Sequence, residues 1–147
     1  MRIELLLHVL SDVVWVGGMF VAYLAVRPAA VEALEPPQRL RLWTGIFARF
    51  FRWVWAAVIL ILGTGFSMMG HMQSVPAYVL VMAVIGLLMS AIFLHLYFAP
   101  FRRLKRAVQH EDWKAGGAAL GQIRILVGIN LALGLLNIGV AMLGPML

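Results

Sequence analysis

Cysteine is absent from this sequence of 147 residues, and its absence excludes disulfides, iron–sulfur clusters and thiolate metal sites. Soft-metal chemistry would therefore have to use the nine methionines and four histidines. Charge is scarce as well, since 12% of the residues are charged whereas 63% are hydrophobic. This balance lies far outside that of globular domains and indicates an integral membrane protein.

Several catalytic signatures are also missing. The sequence has no Ser/His/Asp triad pattern, no paired catalytic carboxylates, no Walker loop and no glycine-rich nucleotide fingerprint. We therefore expect neither hydrolytic nor nucleotide-dependent chemistry. No catalytic residue is assigned, and a protein that is not an enzyme is favoured.

Acidic residues number six against twelve Lys and Arg, which gives a net charge of +6. The basic residues mark membrane topology and need no nucleic-acid partner, because all of them except Arg2 fall in two of the three connections between four apolar runs. The apolar runs are residues 5–26, 53–69, 78–98 and 125–143. Cytoplasmic loops collect Lys and Arg, whereas the connection 70–77 contains neither. We predict a single all-α domain, residues 1–147: an integral membrane four-helix bundle, antiparallel and up-down-up-down, with both termini outside.

The first apolar run carries two ionisable residues, His8 and Asp12, where burial in a bilayer is costly. They share one helix face with Trp15 and Met19, because the spacings are four, three and four. One interpretation is a functional pair, in which His8 is a metal ligand that Asp12 orients through the second ring nitrogen. The alternative is a hydrogen-bonded pair that only fixes helix packing.

A second group of metal-binding residue types lies at the end of the second apolar run: Met68, Met69, His71 and Met72. The predicted topology places this group at the same outer membrane face as His8. Thioethers select Cu(I), and imidazole binds copper in either oxidation state, so the group predicts an outer copper site. The alternative is that the methionines are ordinary apolar residues and His71 an interfacial loop residue.

His95 lies near the inner end of the third run. It is about 15 residues deeper than His8, or roughly 20 Å at 1.5 Å per residue, so one metal ion or haem iron cannot bind both. His95 is either an inner exit site, a haem ligand with another partner, or an interfacial histidine.

The fourth run carries a stripe of small and polar residues. Asn130 and Asn137 are seven residues apart, with Gly134 between them on the same face. This pattern predicts close helix packing with interhelical hydrogen bonds, and a ligand-binding role is the alternative. Glycine-rich faces of this kind would also allow contact with a second copy of the chain.

Three short motifs stand out among the apolar residues. They are His8-x6-Trp15-x-Gly17-Gly18, Arg49-Phe50-x-Arg52 and Leu62-Gly63-Thr64-Gly65, followed by arginines after Pro100. Together they resemble the copper-resistance protein D (CopD) family over essentially the whole chain. The resemblance implies a four-helix unit of the bacterial inner membrane that is connected with copper uptake or tolerance, with His8 as a ligand.

A second, weaker similarity points to haem. His8, Trp15, Gly18 and the pair His95-x-Tyr97 are similar to residues of the HemJ-type protoporphyrinogen oxidases, which are haem-associated membrane enzymes. That resemblance implies haem b as the alternative cofactor, with His8 and His95 as ligands of different irons. A lysine usual early in the third helix of both groups is absent here, where residues 78–86 read YVLVMAVIG. Its absence weakens the oxidase assignment more than the copper one.

The leading prediction is an inner-membrane protein that handles copper at its outer face. The predicted copper ligands are His8, Met68, Met69, His71 and Met72, and the predicted supporting residues are Asp12, Trp15, Asn130 and Asn137. The alternatives are a haem b redox protein and an accessory subunit that binds no cofactor. The expected partners are the lipid bilayer and a copper ion or periplasmic copper carrier, and both termini are expected in the periplasm.

Overall fold

The structure, a computed structural model, describes residues 1–146 and is helical without a β-strand over that range. Six α-helices follow one another: α1 Arg2–Val21, α2 Arg27–Ala33, α3 Pro36–Gly70, α4 Ala77–Phe98, α5 Pro100–Gln109 and α6 Trp113–Leu143. A π-helical segment, Ala22–Val26, joins α1 to α2, and a short 3₁₀ helix, Gly144–Met146, follows α6. The predicted all-α architecture is confirmed.

Within residues 1–146, four helical stretches are long and apolar enough to cross a membrane: Arg2–Ala33, Pro36–Gly70, Ala77–Gln109 and Trp113–Met146. Each stretch also presents large apolar side chains outward, among them Leu6, Ile59, Val84 and Leu136, which are all more than half exposed. Acyl chains accept such a surface, whereas water would penalise it. The chain is a multi-pass membrane protein.

A π-helical turn shapes the end of the first span. Pro28 has no N–H to donate to the carbonyl of Leu24, one turn earlier, and in a regular α-helix its ring would clash with that carbonyl. The wider turn at Ala22–Val26 absorbs this defect, so the helix continues from α1 into α2. The predicted span 5–26 is therefore the middle of a longer helix.

Helix α3 begins at the two prolines, Pro36 and Pro37. Pro36 and Pro37 occupy the first helical positions, where no N–H is needed, and the backbone N–H of Glu35 donates to Oε1 of Gln38 at 3.3 Å. The helix then runs for 35 residues to Gly70. At 1.5 Å per residue it is about 50 Å long, so it projects beyond a hydrocarbon core of about 30 Å.

The connection between the third and fourth spans is itself helical. Pro100 ends α4, since it has no N–H to continue the helix, and occupies the first turn of α5. Asp112 then caps α6, because its Oδ1 accepts from the N–H of Ala115 at 3.1 Å. Helix α6 therefore begins well before the predicted span 125–143.

Contacts between α1 and α3 determine which residues lie at the same level. His8 contacts Thr64, and Glu4 contacts Ser67, so residue numbers rise along α1 as they fall along α3. The beginning of α1 therefore lies beside the end of α3.

Helix α6 packs against both α1 and α4. A Cβ added at Gly134 would lie 2.7 Å from Cγ2 of Val16, and Nδ2 of Asn130 donates to the carbonyl of Met89 at 3.1 Å. The stripe of small and polar residues on the fourth span therefore lies in a helix interface.

The core is an aromatic cluster around Phe51. Phe47 stacks on Phe51 with ring centroids 5.1 Å apart, and Phe101 meets Phe51 edge-on at 4.9 Å. Further rings complete the cluster: Trp15, Trp43, Trp55, Phe93 and Tyr97. The cluster lies in the half of the bundle nearer the basic connections, whereas His8 lies in the other half.

Candidate metal site

His8 is half-buried between α1 and α3. Its Nδ1 lies 2.9 Å from Oγ1 of Thr64. A Cβ added at Gly65 would lie 3.3 Å from Cε1 of His8, so a larger residue there would press on the imidazole. The segment Leu62-Gly63-Thr64-Gly65 thus supplies both the hydrogen-bond partner of His8 and the space for its ring.

The hydrogen bonds of Thr64 determine the tautomer of His8. The Thr64 hydroxyl donates its single proton to the carbonyl of Leu60, one turn earlier, at 2.5 Å. Its oxygen must therefore accept from His8, so Nδ1 carries the proton and Nε2 carries the lone pair. Nε2 is the nitrogen that remains able to bind a metal.

A second hydrogen-bonded chain joins α1 to α3 one turn nearer the end of the bundle. Ser67 donates from Oγ to Oε1 of Glu4 at 2.5 Å, and its carbonyl accepts from Nδ1 of His71 at 2.7 Å. Because a carbonyl only accepts, Nδ1 of His71 carries a proton, and Nε2 of the neutral ring carries the lone pair. Both histidines at this end therefore present Nε2.

The predicted ligands at the end of α3 differ in exposure. Met68 and Met69 are half-buried in the last turn of α3, whereas His71 and Met72 are exposed. Met68 follows Thr64 by four residues, so it lies on the same face of α3, about 6 Å further along the axis. Thioethers and imidazoles thus lie at successive turns between the surface and the level of His8.

The structure gives His8 a different partner from the predicted one. Among residues 1–146, Asp12 makes no side-chain hydrogen bond and no ion pair, although it is half-buried. Nδ1 of His8, the nitrogen that Asp12 was expected to bond, bonds instead to Thr64, which approaches the ring from α3. The supporting role of Asp12 stays a prediction, without the predicted bond to His8.

The residue types at this end restrict the ions that would fit. Within residues 1–146, no three His, Cys, Asp or Glu side chains come together as a metal-binding group. A metal site here would therefore need thioether sulfur from the methionines. Mixed thioether and imidazole ligands favour Cu(I) over hard ions, which prefer oxygen.

His95 lies apart from His8 and is exposed on α4. Trp15 and Phe93 meet edge-on with centroids 6.2 Å apart, which puts these two residues at a similar level. His8 precedes Trp15 by seven residues, and His95 follows Phe93 by two. At 1.5 Å per residue, the two histidines are therefore about 14 Å apart along the bundle axis. This offset is smaller than the roughly 20 Å expected from the sequence, but it still prevents one ion from binding both histidines.

The other predicted supporting residues lie inside the bundle. Trp15 is buried, and Asn130, at 2% exposure, joins α6 to α4 through its bond to Met89. Within the described part of the chain, Oδ1 of Asn130 and Oδ1 of Asn137 are buried without a hydrogen-bond partner. Asn130 therefore takes part in helix packing, and a ligand-binding role for either amide stays a prediction.

Sequence reasoning did not identify Thr64, Ser67 and Glu4 as partners of the histidines. The available signal was the helical period, since Glu4 and His8 are four residues apart on α1, and Thr64 and Ser67 three apart on α3. The period shows that each pair shares a face. It does not show that the two faces meet, which depends on the register between the helices.

The second to fourth spans match a known family of membrane proteins. The family model of copper resistance protein D matches residues 44–143, which is more than half of the chain. The match includes the motif 62–65 and the predicted ligands at the end of α3, and it begins after His8 and Asp12. Searches of curated proteins and of solved structures gave no match. The chain belongs to the copper resistance protein D family.

Proposed function

We propose that this protein binds copper where the beginning of α1 meets the end of α3, and passes it inward past His8. Family membership supports a role connected with copper resistance. The observation that carries the proposal is the pair of hydrogen bonds that leaves Nε2 of both His8 and His71 with a lone pair. Metal-bound histidines typically donate their other ring N–H to a neighbouring oxygen in this way.

The order of the ligands supports movement from the surface into the bundle. His71 and Met72 form an exposed entry, Met68 and Met69 form a half-buried middle, and His8 is the innermost ligand. Neighbouring steps are about one helical turn, or roughly 5 Å, apart. Soft thioether and imidazole ligands at such short intervals allow Cu(I) to exchange from one to the next.

The distribution of charge supports an orientation in the membrane. The basic connections lie at the opposite end of the bundle from His71, and basic loops stay in the cytoplasm. We therefore place the copper entry on the periplasmic side of the inner membrane, with both termini on that side. A copper ion or a periplasmic copper carrier would be the partner at this face.

A Cu(I) competition assay on the purified protein tests the proposal. We expect His8→Ala, His71→Ala and the double variant Met68→Leu/Met72→Leu each to bind Cu(I) roughly tenfold more weakly, since each removes a ligand. Leucine conserves the volume of methionine, so the double variant should fold normally. His110→Ala is the matched control, because His110 is exposed in the connection before α6.

Two outcomes would overturn the copper proposal. One is an affinity for Cu(I) that is the same in the wild type and in all three ligand variants. The other is a Soret band in the purified protein that disappears in His8→Ala, because His8 would then bind a haem iron.

A further inference from the structure

A cavity of about 300 Å³ lies between the end of the first span, the beginning of α3 and the beginning of α6. It is at the end of the bundle that carries the basic connections, away from His8. Its volume is in the range of sites that hold a small ligand or part of a larger one. The copper proposal makes no use of it.

The wall of the cavity has an excess of positive charge. Arg27, Arg39 and Arg124 line it, and no acidic side chain does so among the described residues. None of the three forms an ion pair within residues 1–146, although Arg27 and Arg39 are half-buried. Arg41, close by on α3, pairs with Glu111 at 3.6 Å. Three guanidinium groups without a carboxylate indicate an anionic ligand.

One of these arginines is held in place by its neighbours. The guanidinium of Arg27 lies over the ring of Tyr23, with Cζ 5.1 Å from the ring centroid. Tyr23 in turn packs on Gly128, where an added Cβ would lie 3.1 Å from Cε2 of the ring. The π-helical turn that contains Tyr23 thus directs Arg27 toward the cavity, and π-helical turns are frequent at functional sites.

The remaining wall of the cavity is apolar. Its large side chains include Val31, Leu40, Trp43, Phe47, Leu120 and Val127. A small soluble anion would leave this surface in contact with water. A ligand with a charged head and an apolar body would cover both parts of the wall.

We propose that the cavity binds an anionic phospholipid, with phosphate at Arg27, Arg39 and Arg124 and the glycerol and first acyl carbons on the apolar wall. Basic pockets between membrane helices on the cytoplasmic side suit such headgroups. Three positive charges exceed the charge of one phosphate, so a lipid with two phosphates, such as cardiolipin, binds more tightly than phosphatidylglycerol. The inference is independent of copper binding, because it involves none of the proposed copper ligands.

Native mass spectrometry of the delipidated full chain in mild detergent measures this binding. The probes are cardiolipin, phosphatidylglycerol, phosphatidylcholine and inorganic pyrophosphate, titrated separately. We expect one cardiolipin per chain, with an affinity that exceeds that of phosphatidylcholine at least tenfold. Pyrophosphate should bind too weakly to detect, because it leaves the apolar wall uncovered.

Charge variants test the role of the arginines. Arg27→Gln and Arg39→Gln should each weaken cardiolipin binding about fivefold, which corresponds to about 1 kcal/mol for each basic residue near the membrane surface. Arg52→Gln is the matched control, since Arg52 is exposed on α3 and does not line the cavity. Its affinity for cardiolipin should equal that of the wild type.

A variant that fills the cavity tests the site without changing charge. Gly121 lines the cavity, and a Cβ added there meets nothing within 4 Å, so Gly121→Leu should fold and occupy the space. We expect it to weaken cardiolipin binding at least tenfold. Gly86→Leu is its control, because a Cβ at Gly86 also meets nothing within 4 Å and Gly86 lies outside the cavity.

Several results would overturn the lipid site. Equal losses of cardiolipin affinity in Arg52→Gln and Arg39→Gln would mean that the lipid is attracted by the basic surface in general. Phosphatidylcholine that binds as tightly as cardiolipin would show that the charge of the headgroup has no role. Pyrophosphate that binds as tightly as cardiolipin would make this a site for soluble anions. Unchanged cardiolipin binding in Gly121→Leu would place the lipid elsewhere, and this variant decides the question if the arginine variants fail to fold.

Discussion

The hydroxyl of Thr64 connects the backbone of α3 to the ring of His8. It donates to the carbonyl of Leu60 and accepts from Nδ1 of His8, so all three groups are satisfied in an apolar environment. A buried polar group without a partner would be destabilising by a few kcal/mol in such an environment. The same chain of bonds also puts the proton of His8 on Nδ1 and leaves a lone pair on Nε2.

Removing this hydroxyl should weaken metal binding and also lower stability, because Nδ1 of His8 loses its hydrogen-bond partner. We expect Thr64→Val to bind Cu(I) about tenfold more weakly, because groups that orient a metal-bound histidine typically change affinity 10- to 100-fold. Thr64→Ser keeps the hydroxyl and should bind like the wild type. The measurement is the Cu(I) competition assay, with thermal unfolding recorded for each variant.

Thr44 provides a matched control on the same helix. Its hydroxyl donates to the carbonyl of Leu40 at 2.8 Å in the same manner, with no histidine bonded to it. Thr44→Val should leave the affinity for Cu(I) unchanged. If Thr44→Val and Thr64→Val weaken Cu(I) binding by the same factor, the hydroxyl of Thr64 has no special role in metal binding.

At the scale of the helix pair, a ring of α3 packs directly on the backbone of α1 at Gly18. A Cβ added at Gly18 would lie 2.3 Å from Cε2 of Phe50, so the ring occupies the space that a side chain would need. A Cβ at Gly17, the neighbouring glycine, would meet nothing within 4 Å. Of the two glycines in the first motif, only Gly18 therefore brings the helices together.

Replacing Gly18 should separate the two helices. We expect Gly18→Ala to lower the free energy of unfolding by about 1–3 kcal/mol, the usual range for overpacking in a dense interior. Gly17→Ala should be neutral or slightly stabilising, since alanine favours helix over glycine by about 1 kcal/mol. Thermal unfolding in detergent, followed by tryptophan fluorescence, measures both variants.

A second substitution identifies the cause of the loss. If the clash with Phe50 is responsible, Gly18→Ala/Phe50→Leu should recover part of the stability that Gly18→Ala loses. Equal changes in the free energy of unfolding for Gly17→Ala and Gly18→Ala would show that the ring of Phe50 does not pack on Gly18.

On the scale of the whole molecule, the two ends of the bundle have different chemistry. One end carries methionine and histidine at the meeting of α1 and α3, together with the uncharged connection after His71. The other end carries the basic connections, the aromatic cluster around Phe51 and the cavity. Because basic loops stay in the cytoplasm, this difference predicts the orientation of the molecule.

The absence of native cysteine makes the orientation directly measurable. We expect Gln73→Cys, in the connection after His71, to react in intact cells with an impermeant thiol reagent. Gln109→Cys, at the end of α5, should react only after lysis, because α5 belongs to the basic connection. Both positions are exposed, so accessibility of the side chain is matched.

The opposite labelling pattern would reverse the orientation. Reaction of Gln109→Cys in intact cells, with Gln73→Cys labelled only after lysis, would place the methionine and histidine end in the cytoplasm. The proposed copper entry would then face the wrong compartment.

Much of the helical architecture was predictable because the relevant signals are local. The four apolar runs, the start of α3 at Pro36 and the end of α4 before Pro100 all follow from properties of residues within one or two turns. The helical extensions beyond the apolar runs were predicted less well. α5 and the beginning of α6 are polar, and their helicity depends on packing against other elements and not on an apolar run.

The sequence by itself determined that this is a helical membrane protein, which residue types are available to a soft metal, and how charge is divided between its connections. Only the tertiary structure decided that His8 bonds to Thr64 and not to Asp12, and that Arg27, Arg39 and Arg124 surround one cavity. The physical reason is the range of the interactions. Helical periodicity relates residues three or four apart, whereas the register between helices depends on which rings and small residues interlock across the bundle, as Phe50 does with Gly18.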